Sequence, residues 1–373
     1  MSEGRTTVLV TGAGGPLGSN LVRSLRRAPE PLRLVGTEAN RWHLPLSLCD
    51  RTYHIPHARD RAAYARALAE VIDAESVRVI VPTHPVEVRA VAELTGQLDV
   101  ATALPRTEVL AIADDKAETH QCLQKAGVPV PATAVLRGPA DIDTAFAAIS
   151  SRPVWVRGTG APGLGIGCAA LPCDEPGVAM AWVEYHRGWG RMAASEYLPG
   201  ANLSWMAGFA RGQLIAAGAR ERLEYVIAHV APSGVTGAPA VSRTVMRPDV
   251  AEIGERAVRA IDTRPHGVYF VDLKEDHRGE PRVTEINAGR CGTTVMAYVA
   301  AGYNFPWFLV SLARGDAIEP LADANRAVES DVYWVRTLDC GPVVVRGESG
   351  FDGYPEAGST DRSSAVRGDD DPG

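Results

Sequence analysis

Lysine is nearly absent from this sequence. Among 373 residues only Lys116, Lys125 and Lys274 carry an ammonium, so arginine supplies almost all the positive charge. Six cysteines are scattered at 49, 122, 168, 173, 291 and 340 with no CxxC pair. That spacing argues against a zinc knuckle or a disulfide framework and fits reduced thiols. No apolar run reaches the roughly 18–20 residues of a membrane span. Residues 1–7 lack the basic-then-apolar pattern of an export signal, so a cytoplasmic protein is expected. The formal net charge is -7 and no basic patch is interleaved with aromatics, which argues against a nucleic-acid partner. What is present is ordinary globular composition, 46% hydrophobic and 22% charged, in a length that suits two or three packed units.

Hydrophobic periodicity divides the chain. Strands are predicted at 7–11, 32–36 and 77–82, with helices at 17–27, 59–74 and 86–94. Strands alternating with helices imply a parallel sheet covered by helices. This unit is expected to end near 112. A helix at 114–126 follows, stopped by Gly127 with Pro129 and Pro131 beyond it. Then come short strands joined by Gly or Pro turns, at 153–157, 168–171, 193–198, 203–210, 213–219, 268–273 and 282–286, with one helix at 251–261. The expected class is therefore α/β followed by α+β. The first unit runs 1–112, the mostly antiparallel part follows from 113 to 345, and a tail at 346–373, rich in Gly, Ser, Asp and Pro, is expected to be disordered.

The stretch GVYFVDLKEDHRGEPRVTEINAGR, residues 267–290, is the most informative. Two strands flank a polar turn near Arg278 and Gly279. Folding about that point sets Asp272 opposite Glu285. Asn287 lies two residues from Glu285 and shares its face. Two carboxylates opposed on a sheet repel one another. A divalent cation would remove the conflict, and all-oxygen ligands suit Mg2+ or Mn2+. The competing reading is a solvated acidic face.

A second stretch, PVWVRGTGAPGLGIG at 153–167, has glycine at five of the ten positions from Gly158 to Gly167. Such a loop brings backbone N–H groups close to a phosphate, and Arg157 enters it from a strand end. No Gly-Lys-Ser/Thr closes it, so it is not a Walker A loop. An exposed glycine hairpin is the alternative. Lys116 follows Asp114 and Asp115 at a helix start, where the dipole favours anions, so either an external anion or solvent faces it. TGAGGPLG at 11–18, with Gly12, Gly15 and Gly18, supports a rival, an NAD(P)-dependent oxidoreductase or epimerase with Glu38 at a ribose. Those enzymes use a Tyr-xxx-Lys pair, and no tyrosine here has lysine four residues on.

In order and spacing, these stretches resemble the ATP-grasp superfamily, in the branch of the carbamoyl phosphate synthase large subunit. The likeness covers residues 8–300. VIVPTHPVEVRAVAEL (79–94) resembles the end of the family's preceding Rossmann-like domain, and ADDKAETHQCLQKAGVPVPAT (113–133) the helix opening its ATP-binding region. ASEYLPGANLS (194–204) is similar to the nucleotide hinge, and APSGVTG (231–237) to a small Ser/Gly loop.

The resemblance implies two α+β subdomains gripping ATP, 113–198 with the glycine-rich loop and 199–345 with the metal hairpin. Lys116, Arg157 and the loop glycines Gly160, Gly163 and Gly165 would hold phosphates. Glu196, Tyr197 and Leu198 would line the adenine. Asp272, Glu285 and Asn287 would carry Mg2+. Arg157 would act on the transferred phosphoryl group, and Arg290 on that group or on a substrate carboxylate. Asn202 stands where the family often has a ribose-binding glutamate, and Asn-Ala-Gly-Arg replaces the common Asn-Pro-Arg. The implied activity is an ADP-forming carboxylate–amine ligase working through an acyl phosphate. A non-catalytic nucleotide-binding protein is the other alternative. Expected partners are a small carboxylate and a small amine, with neither nucleic acid nor membrane, and a homodimer is one candidate assembly. Arg220, Arg222 and His229 are candidates for binding the acid.

Overall fold

The computed structural model describes residues 5–159, 169–230, 238–337 and 353–358. The expected phosphate-loop residues Gly160, Gly163 and Gly165, and the Ser/Gly loop 231–237, lie outside them.

The first unit holds β1 (Thr6–Thr11), α1 (Pro16–Leu25), β2 (Leu32–Glu38), β3 (Arg51–His54), α2 (Arg61–Glu75), β4 (Val79–Val81) and α3 (Pro85–Glu93). Its sheet is parallel, in the order β3-β2-β1-β4. β1 is buried on both faces, which is why it reads as an unbroken apolar run rather than an alternation. α1 presents Leu17, Leu21 and Leu25 to the core from one stripe. β3 forms an edge, and the chain returns to cover it. His54 N donates to the Pro355 carbonyl at 3.1 Å, and His54 Nδ1 lies 2.7 Å from Glu356 Oε1. Residues 353–358 lie along this edge, where an unpaired strand offers hydrogen bonds.

The helix expected at 114–126 is α5 (Lys116–Lys125), preceded by a further helix, α4 (Thr107–Asp114). Asp115 separates them. Its backbone is extended, and its carboxylate caps α5 by accepting from Ala117 N and Glu118 N. The second unit follows, with β5 (Thr133–Leu136), α6 (Pro139–Ala148), β6 (Val154–Gly158), β7 (Leu171–Cys173), α7 (Pro176–Tyr185) and β8 (Met192–Glu196). Its sheet runs β5-β8-β6-β7, all antiparallel. α6 and α7 pack on one face through Ile142, Phe146, Ala179 and Val183.

The third unit has β9 (Asn202–Ala210), β10 (Gln213–Tyr225), β11 (Pro239–Val245), α8 (Pro248–Ile261), β12 (Gly267–Glu275), β13 (Pro281–Ala288), α9 (Val295–Ala300), α10 (Phe305–Arg314) and β14 (Tyr333–Val335). The antiparallel order is β13-β12-β9-β10-β11-β14. Its two faces have different fates. Leu203, Trp205, Val271 and Leu273 form one core with Val250 and Ala257 of α8. On the opposite face Met206 and Phe270 join α9, α10 and the first unit in a shared core. The remainder of that face is polar and lines a cavity. No helix among the described residues is long and apolar enough to cross a membrane.

Candidate active site

The β12–β13 hairpin pairs Asp272 with Glu285 and Phe270 with Asn287, the register read from the sequence. Towards the turn the register slips by one residue at a bulge. Thr284 is the extra residue, and its hydroxyl donates to the Asp272 carbonyl at 3.1 Å. The turn itself is tied by Asp276, whose carboxylate accepts from Arg278 N, Glu280 N and the Arg282 guanidinium.

Cross-strand pairing carries this polarity through the sheet. Glu285 faces Asp272, Asp272 faces Ser204, Ser204 faces Arg220, and Arg220 faces Thr244. Two residues along, Lys274, Asn202, Arg222 and Ser242 form a parallel row. Directly opposed residues share a face, so both rows lie on one face of the sheet. Glu285, Asp272, Arg220, Lys274, Asn202 and Arg222 of these rows line a cavity of about 400 Å³, which is also lined by Lys116, Trp155, Arg157 and the 196–198 segment.

Asp272 and Glu285 each have a cation beside them. Arg222 Nη2 donates to Asp272 Oδ1. Lys116 Nζ lies 3.3 Å from Glu285 Oε2. Arg290 Nη2 donates to Asn287 Oδ1. Burial raises the Asp272 pKa against the pull of Arg222. Burial lowers those of Arg157, Arg290 and Lys116, with Glu285 opposing the shift in each. For Arg222 burial is the largest single influence and acts downward, but Asp272 and Tyr225 together outweigh it and the guanidinium holds its proton more firmly.

At the hinge, Glu196 N donates to the Ala132 carbonyl at 2.8 Å, and Leu198 is buried. Tyr197 and Trp155 lie with ring centroids 5.9 Å apart, and Lys274 Nζ sits 5.5 Å from the Tyr197 ring. Asn202 Nδ2 donates to the Tyr225 hydroxyl, while its Oδ1 accepts from Arg222 at 3.5 Å. Lys116, Arg157, Glu196, Tyr197, Leu198, Asn202, Asp272, Glu285, Asn287 and Arg290 therefore share one cavity. Arg220 and Arg222 belong to it. His229 does not: it is exposed in the short turn Ala228–Val230.

Sequence reasoning passed over Trp155, Phe270 and Lys274 as site residues, although all three line the cavity. Lys274 carried a signal in being one of three lysines, two residues from Asp272 and so on its face.

The N-terminal glycine turn has a different explanation from the dinucleotide site it imitates. A Cβ on Gly14 would lie 2.0 Å from the His43 carbonyl oxygen, and one on Gly18 would lie 2.3 Å from that of Gly12. These glycines let the strand, helix and 41–46 segment pack closely. Glu38, the expected ribose ligand of the rival reading, is buried and accepts from Gly14 N and Asn40 N, both at 3.0 Å.

No family model matches the chain, and no curated protein matches it in sequence. Solved structures do match in three dimensions. A biotin carboxylase from Campylobacter jejuni, in complex with β-γ-ATP, aligns with TM-score 0.64 at 15% identity, over 87% of this chain and 74% of its own. An N5-carboxyaminoimidazole ribonucleotide synthetase from Thermus thermophilus gives 0.63 at 16%, over 85% and 81%. An L-amino acid ligase from Bacillus licheniformis gives 0.61 at 15%, over 84% and 75%. The parallel sheet followed by two antiparallel-sheet units is the ATP-grasp fold.

Proposed function

We propose that the chain binds Mg-ATP, phosphorylates a carboxylate and joins the resulting acyl phosphate to an amine, releasing ADP and phosphate. The observation that carries this reading is the Asp272–Glu285 pair with Asn287 on the same face, set in a cavity with Lys116, Arg157 and Arg290. An amide product is favoured because an L-amino acid ligase is among the similar folds. The order of the sequence motifs supports descent from the carbamoyl phosphate synthase-like branch.

The donor set fits Mg2+ or Mn2+. Two carboxylates and an amide oxygen are hard ligands, and Mg2+ keeps waters and substrate phosphates for its remaining positions. Asp272, Glu285 and Asn287 would hold it. Bound there, the ion would neutralise charge on the transferring phosphoryl group. The remaining work falls to the chain's own groups. Lys116 and Arg157, with Gly160, Gly163 and Gly165, would cradle the phosphates. Glu196, Tyr197 and Leu198 would take the adenine, with Trp155 beside Tyr197. Asn202 would offer an amide in place of the family's glutamate at the ribose. Arg290 would steady the acceptor carboxylate as its oxygen attacks the γ-phosphorus and ADP leaves. The amine nitrogen then attacks the acyl carbon, and phosphate departs. Positioning and electrostatics suffice for this chemistry, which needs no covalent nucleophile from the protein.

The test is product analysis with Mg-ATP across a panel of acids and amines. ADP, phosphate and an amide are the expected products. AMP with pyrophosphate, or no ATP consumption with any pair, would overturn the proposal.

A further inference from the structure

Arg220 is a deeply buried cation at the edge of the cavity. It is 1% exposed, yet its side chain lines that space. Its Nη1 donates to Ser242 Oγ at 2.9 Å, and its guanidinium lies 5.6 Å from the centre of the Phe270 ring. Its Nε is buried with no hydrogen-bond partner. No carboxylate forms an ion pair with it among the described residues. Asp272, two strands across in the same row, is held by Arg222 instead.

The hydroxyls of Ser204, directly opposite Arg220, and of Tyr298, beside it, are fully buried behind the guanidinium, and Tyr298 lies within side-chain hydrogen-bonding reach of both Arg220 and Ser204. A buried guanidinium without a counter-charge is strongly unfavourable, and so is each buried polar atom without a partner. Such an arrangement makes sense when a ligand supplies the missing anion. The planar fork of arginine, flanked by hydroxyls, suits a carboxylate.

We propose that Arg220, with Ser204 and Tyr298, forms a second anion subsite, so that the acid activated by this protein is a dicarboxylate. One carboxylate would react near Arg290, and the other would be anchored at Arg220 beyond Phe270. This rests on the ligase reading for its substrate role, but the binding claim stands apart from it.

Two measurements separate the two claims. The first is thermal shift and calorimetry with straight-chain dicarboxylates from malonate to adipate, beside monocarboxylates and monoamides of equal length, without nucleotide. At least one dicarboxylate is expected to bind about ten or more times tighter than its monoamide, as follows from losing a buried charge partner. Arg220→Met should abolish that preference, and Arg220→Lys should keep part of it. If Arg220→Met fails to fold, Ser204→Ala provides the second reading, with a smaller loss confined to the dicarboxylate. Equal binding of diacid and monoamide, or an unchanged preference in a folded Arg220→Met, would overturn the subsite. The second measurement is ADP release with hydroxylamine as amine. Diacid binding without ADP release from any acid would remove the ligase reading and leave the subsite standing.

Discussion

Lys116 and Glu285 meet across 169 residues of sequence, with Nζ 3.3 Å from Oε2. One comes from the first turn of α5 and the other from β13, so the contact joins the helix that opens the second unit to the hairpin of the third. It also ties a proposed phosphate-binding cation to a proposed metal-binding carboxylate.

Glu285→Ala should therefore remove more than a ligand oxygen. Metal-dependent ADP release is expected to fall at least about a hundredfold. The side chain is 30% exposed, so the fold should survive. Turnover assays beside circular dichroism melts check this; full turnover would exclude the hairpin from the chemistry.

Burial lowers the Lys116 pKa, and Glu285 works against that shift. The ammonium is the form that binds phosphate, and it is lost as pH rises through the lowered pKa. ADP affinity, measured by calorimetry without metal, should begin to fall at a lower pH than an ordinary lysine with pKa about 10.4 would allow. Glu285→Gln should move the fall lower still, and Lys116→Arg should erase it. An affinity that is flat up to the ordinary lysine range would contradict the assignment.

Glu87 offers a stability test away from the chemistry. It is buried under the glycine turn, where Thr11 Oγ1 donates to its Oε2 at 2.8 Å. Desolvation pushes its pKa up to about 7, with Glu38 adding to the shift. The folded protein then holds a proton that the unfolded chain gives up near pH 4.5. Stability from this group is full below that point and lost as pH rises through about 7. Glu87→Gln keeps the acceptor and cannot ionise. Its Tm relative to wild type should rise between about pH 5 and about pH 8.5, the window that spans the shift. A constant difference would refute the account.

Gly254 sits in α8 against the sheet. A Cβ there would lie 2.6 Å from Cε3 of Trp205, a fully buried ring. Alanine gains up to about 1 kcal/mol in helix propensity. Overpacking a rigid core costs about 1–3 kcal/mol. Gly254→Ala is thus expected to destabilise, read as a lower denaturant midpoint, and an increase would show that Trp205 can yield.

The sequence made some of this legible and hid the rest for physical reasons. Asp272, Glu285 and Asn287 could be placed together because hairpin pairing and a period of two are local rules. The bulge at Thr284 could not, since nothing in its side chain distinguishes it. Asp115 as a helix cap was hidden inside an acidic pair that reads equally well as the first turn of one longer helix. The Arg222–Asp272 pair required knowing that β9 lies between β10 and β12. β3 and its cover at 353–358 depend on an edge that exists only once the sheet is assembled. The glycine turn misled because close packing and pyrophosphate binding ask for the same residue.

The bulge at Thr284 has a consequence for how this hairpin tolerates change. On its far side the strands are paired one residue out of step with the near side, and the turn is secured by Asp276. Length changes at the tip are therefore insulated from Asp272, whose own position is fixed by its pairing with Ser204 of β9. Loop insertions between His277 and Glu280 should leave the acidic face in register. A single deletion at Thr284 would remove the extra residue and leave Glu285 opposite Asp272 and Val283 opposite Leu273, with no bulge between them.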